Sequence, residues 1–175
     1  DKWYRGIAKV LGKEKEVEEI IAMEHKRIEP LVAEIRERLQ GKRVFICGGT
    51  GRSFAAAALI DDFGMELVGL ETPTYDDDAQ VDIEYLNGIH KNFVVDIANM
   101  QPFEQANLVK KLKPDAFIGV PEWAAKLGIP TTHVLDGKRP TMGYHGLLYL
   151  GNKIADQLQN PGFNVKLAKH VKLPY

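Results

Sequence analysis

Three glycines within four residues, Gly48-Gly49-Thr50-Gly51, followed by Arg52 and Ser53, make the segment of this sequence best suited to receive an anion or an electron-rich ligand. Glycines let backbone N–H groups approach a ligand closely, the helix expected next offers its positive end, and Arg52 adds a fork of donors. The segment is not a P-loop, because the four-residue spacing before Gly-Lys-Ser/Thr is missing. As a dinucleotide fingerprint it is half complete. Gly49-x-Gly51 fits and Glu71 lies about twenty residues on, but the third glycine position holds Phe54, which would push the helix off its strand. A tight strand-to-helix turn that needs small residues is the competing explanation.

Two further segments carry groups with chemistry. Glu71-Thr72-Pro73-Thr74-Tyr75-Asp76-Asp77-Asp78 sets three carboxylates side by side, yet consecutive residues do not point one way and the EF-hand spacing is absent. It reads as an exposed turn leading into a helix. The stretch from His133 to Gly146 gathers His133, Lys138, Arg139 and His145 with three glycines ahead of a helix. An imidazole there could ligate a transition metal through one ring nitrogen, or be a hydrogen-bonded core histidine. No Ser or Cys nucleophile pairs recognisably with either histidine. His25, His90 and His170 stand in polar contexts and read as surface residues.

Cys47 is the one cysteine in 175 residues, which excludes an internal disulfide, a cysteine-rich zinc site and a four-thiolate cluster built by this chain alone. It reads as a buried small hydrophobe in a reducing, cytoplasmic setting. With 23 basic and 24 acidic residues the net charge is −1, so no whole-molecule field draws in nucleic acid or anionic membrane. No apolar run is long enough to span a bilayer, and no signal-peptide pattern opens the sequence. The start at Asp1, without an initiator Met, is expected to lie inside a longer chain.

The elements that must position these segments follow from periodicity. Residues 1–40 read as a helical arm: a short helix ended by Gly12, then a charged amphipathic helix from Glu14 to Gln40 that Pro30 should kink or divide. After Gly41, strands at Arg43–Cys47, Glu66–Leu70, Phe93–Asp96, Ala116–Val120 and Thr131–Leu135 alternate with helices at Ser53–Phe63, Pro102–Leu112, Glu122–Leu127 and Tyr144–Leu158. That alternation implies right-handed crossovers and a three-layer, Rossmann-like α/β domain over residues 41–160, with a mostly parallel sheet of four or five strands. Residues 161–175 read as an extended tail. In such a sheet ligands sit at the carboxyl ends of the strands, which is where the segments after Cys47 and His133 fall.

The order of motifs is also specific. Gly41-Lys42-Arg43-Val44, Gly48-Gly49, Phe63-Gly64-Met65-Glu66-Leu67-Val68-Gly69, Lys113-Pro114-Asp115, Leu127-Gly128-Ile129-Pro130, Gly143-Tyr144-His145-Gly146 and Asn160-Pro161 follow one another as in the C-terminal domain of the nitrogenase component 1 family, which the sequence resembles over nearly its whole length. The resemblance favours the α-subunit-like branch.

It implies a polypeptide of several Rossmann-like domains in an α2β2 assembly with a β-type sister subunit. Electrons would come from an ATP-dependent iron-sulfur reductase. Relatives reduce dinitrogen or a tetrapyrrole, or act as scaffolds for maturing the iron-molybdenum cofactor. An iron-sulfur or iron-molybdenum-type cluster would lie between domains, approached by Gly48, Gly49, Thr50, Gly51 and Arg52, with Arg139 nearby. The family's ligand histidine falls at His133 when counted back from Gly143, and at Leu135 when counted forward from Ile129-Pro130. The loop Asp136-Gly137-Lys138-Arg139-Pro140-Thr141-Met142 replaces the family's aromatic residues, which is less like a dinitrogen-reducing subunit and suits a scaffold, a tetrapyrrole reductase or another nitrogenase-like enzyme. A nucleotide- or anion-binding module is the reading from a different class.

Overall fold

The computed structural model describes residues 1–98, 101–119, 127–133 and 141–170, and of residues 50, 163, 164 and 167 the backbone alone. Two helices open the chain, α1 (Lys2–Leu11) and α2 (Glu14–Leu39), separated by Gly12 at φ 62°. That left-handed turn is one glycine adopts without a Cβ clash. α2 continues through Pro30 as one helix, so the chain does not divide into two helices there. Pro30 is exposed, and buried residues lie on both sides of it, Ile21 and Ile28 before and Ile35 and Leu39 after, so both halves keep one face inward, which offsets one missing backbone hydrogen bond. Ile35 and Leu39 belong to the main core, so the end of the arm is built into the α/β unit.

The sheet follows with β1 (Arg43–Cys47), β2 (Glu66–Thr72), β3 (Val94–Ile97), β4 (Ala116–Ile118) and β5 (Thr131–Thr132). All of its pairings are parallel, in the order β3-β2-β1-β4-β5. Between strands lie α3 (Thr50–Leu59) with a 3-10 turn at Ile60–Phe63, α4 (Asp77–Ile89) and α5 (Pro102–Leu112). α6 (Gly143–Gln159) and α7 (Phe163–Ala168) close the described chain. The α/β sandwich expected from the sequence is therefore the fold. Residues 163–168 are helical rather than extended, because Pro161-Gly162 ends one helix and leaves a short apolar-periodic segment free to start another. The expected helix at 122–127 falls almost wholly outside the described residues.

β1 is central and buried on both faces. Val44 and Ile46 face a core shared with Phe54, Ala57, Ile60, Phe63 and Leu150, while Phe45 and Cys47 face a second cluster with Val109 and Phe117. The Phe45 and Phe117 rings stack at 5.6 Å between centroids. Gly69, the β2 partner of Phe45, makes room for them: a Cβ there would sit 2.6 Å from the Phe45 ring. Phe54 is buried in the first core instead of displacing its helix. His90 is a correction to the surface reading: it is buried, with Nε2 2.7 Å from the Ala57 carbonyl oxygen, a contact that fastens the end of α4 to α3. Among the described residues no helix is long and apolar enough to cross a membrane.

Candidate functional site at the carboxyl edge of the sheet

The chain runs from β1 outward through β2 and β3, then returns to the other flank of β1 to lay down β4 and β5. The direction of winding reverses between β1 and β4, and in open parallel sheets the ligand crevice forms outside the carboxyl ends at such a reversal. Here the position of the reversal is flanked by Gly48, which follows β1, and Gly119, which follows β4. Gly119 is obligatory, since a Cβ there would lie 2.2 Å from the Cys47 carbonyl oxygen. Its N–H donates to the Thr132 carbonyl at 2.9 Å.

The Gly48–Ser53 segment leads into α3 as expected. Gly49 is the N-cap, in extended conformation (φ −63°, ψ 146°), and its carbonyl accepts from both Arg52 N and Ser53 N at 3.0 Å. No side chain caps the helix. The glycines have little internal justification. Neither Gly49 nor Gly51 has positive φ, and a Cβ on either would meet nothing within 4 Å. Gly51 lies inside the first turn, where glycine costs roughly 0.5–1 kcal/mol relative to alanine. Arg52 is exposed beside them. The small residues therefore leave an open surface of backbone at a helix N-terminus.

His133 directly follows β5, so it lies at the same edge as Gly48. β5 is two strands from β1, a lateral offset of about 10 Å at ordinary strand spacing. His133 is half-buried. Arg139, Leu135 and the rest of 134–140 lie outside the described residues, and so does the side chain of Thr50.

A buried polar group under this edge was not anticipated. Cys47, Glu71 and Asp96 are Cα partners across β1, β2 and β3. Gln105 of α5 donates through Nε2 to Glu71 Oε2 at 2.8 Å and to Cys47 Sγ at 3.2 Å. Glu71 and Gln105 are 1% and 3% exposed, so Glu71 is neither part of an exposed turn nor open to a ribose, which removes half of the dinucleotide fingerprint. The Gly48 N–H reaches the Glu71 carbonyl oxygen at 3.4 Å, so the same network anchors the root of the glycine segment. The signal available in sequence was a Glu directly after the apolar run Leu67–Leu70. The three aspartates beyond it are accounted for by α4: Asp76 is its N-cap, accepting from Ala79 N at 2.8 Å, and Asp77 and Asp78 sit in its first turn.

Burial and the neighbouring Glu71 push the Cys47 thiol up to about 12. It is thus a neutral thiol at physiological pH, not a ready metal ligand or nucleophile. Native Cys47 should react with a disulfide reagent at pH 8 at least about a thousandfold more slowly than an unfolded thiol, and fully once urea is added. Because the folded value exceeds the unfolded one near 9, this group's contribution is intact below pH 9 and lost as pH rises from about 9 to about 12. Fast native labelling would show that the strand end opens.

Comparison with known proteins adds what geometry alone does not. The family model described as "Nitrogenase component 1 type Oxidoreductase" matches residues 1–159. The chain belongs to this family. The nitrogenase molybdenum-iron protein alpha chain of Methanococcus maripaludis is 26% identical over 166 residues, 92% of this chain and 34% of that protein. The nitrogenase iron-molybdenum cofactor biosynthesis protein NifE of Methanosarcina barkeri is 35% identical over 121 residues, 66% of this chain and 25% of its own length. The solved structure of nitrogenase Cp1 at pH 5 superposes with TM-score 0.73 at 21% identity, covering 98% of this chain and 41% of that one, a likeness of fold. The chain thus spans about a third of the length of the curated nitrogenase-family relatives it matches.

Proposed function

We propose that this chain is the cofactor-facing C-terminal domain of a nitrogenase component 1 α-type polypeptide, either an oxidoreductase subunit or a cofactor-assembly scaffold. In this reading the carboxyl edge of the sheet forms one wall of a cavity for a metallocluster or a tetrapyrrole. The observation that carries it is the open backbone at Gly49 and Gly51, two glycines that nothing among the described residues requires.

The donor set fits such a group as a wall and not as a complete socket. Cys47 is buried and protonated, and among the described residues no three His, Cys, Asp or Glu side chains are grouped to hold a metal ion. An iron-sulfur or iron-molybdenum-type cluster would be ligated chiefly from other domains, with His133 as this chain's single imidazole. When bound, the cluster would supply electron storage for the reduction of a substrate. The chain's own residues would do the rest. Amide N–H groups at the start of α3 and the Arg52 guanidinium, with Arg139 from the sequence that follows His133, would donate hydrogen bonds to sulfide or carboxylate acceptors and lower the cost of added negative charge. The Gln105–Glu71–Cys47 network would hold Gly48 and Gly49 in place. Partners in this reading are the remaining domains of the polypeptide, a β-type sister subunit and an ATP-dependent iron-sulfur reductase, in the cytoplasm. The domain alone would be inactive.

The test is anaerobic purification of the longer polypeptide that carries this segment, with assay of iron, acid-labile sulfide and a paramagnetic resonance signal. Iron and sulfide in stoichiometric amounts support a cluster; a coloured, iron-free protein with bound tetrapyrrole supports the reductase variant. A colourless, iron-free protein removes both. The second reading, a nucleotide- or anion-binding module, draws on the uncapped N-terminus of α3 and the exposed Arg52. Micromolar binding of ATP, NAD or NADP to the 175-residue chain in a calorimetric titration would favour it.

A further inference from the structure

We draw no further inference here: the strongest candidate, the open cleft between α2, the 3-10 turn after α3 and the start of α6, lined by Glu29, Asp61, Asp62, Tyr85 and Tyr144, carries nothing, because its carboxylates are an acidic cluster and nothing in the structure shows what fills or covers it.

Discussion

Replacing Gly119 with alanine should cost the fold at least about 3 kcal/mol, at the top of the range for overpacking, because the added methyl has nowhere to go. It would lie 2.2 Å from the Cys47 carbonyl oxygen, 3.1 Å from the carbonyl carbon and 2.9 Å from the Phe117 ring. Two of those atoms are backbone of the central strand and cannot rotate aside. Relief requires β1 and β4 to part, which strains the Gly119 hydrogen bond to Thr132 and the Phe45–Phe117 stack. Urea unfolding with Gly49→Ala as control separates this steric effect from a general intolerance of side chains near the crevice. The control should stay within about 0.5 kcal/mol of the parent sequence, since its Cβ meets open space. A Gly119→Ala protein as stable as the control would mean that the two strand ends do not approach as described.

The second large effect should divide stability from function. Gly51→Ala should stabilise the 175-residue chain by about 0.5–1 kcal/mol, since alanine narrows the unfolded ensemble and suits the first turn of α3. In the longer polypeptide the same methyl would stand where the proposed ligand approaches the backbone. There it should weaken retention of iron at least about tenfold, equivalent to ~1.4 kcal/mol. Unchanged iron retention in a stabilised protein would detach the glycines from ligand binding and leave them without a role.

The elements that sequence reveals well here are those whose determinants are local. Arg43–Cys47 is a run of apolar, strand-favouring residues that both cores need, and Gly12 and Gly64 sit at φ 62° and 65°, where few other residues would stop a helix so cleanly. Misreadings arose where a distant partner decides. Pro30 points to a kink or a division of α2, but the helix is not divided, and buried isoleucines at seven-residue spacing on both sides of it keep one face inward. His90 has polar neighbours in sequence, and its burial is set by a carbonyl 33 residues earlier. Glu71 resembled the start of an acidic turn because nothing near it in the chain announces Gln105, which comes from the helix across the sheet. The shared edge of the segments after Cys47 and His133 was legible, since parallel strands put both there. The open surface at Gly49 and Gly51 was not, because it depends on packing: among the described residues a Cβ on either meets nothing within 4 Å.

The winding order also fixes when the crevice can exist. Its two banks are residues 43–48 and 116–119, and Val44 pairs with Ala116 across an interval that contains β2, α4, β3 and α5. A chain emerging from the ribosome can pair its first three strands early, whereas the fourth closes the central strand only after a long loop has been gathered in. Under the function proposed above, a prosthetic group that touches both banks would be received only once residues 116–119 have been made and paired with β1.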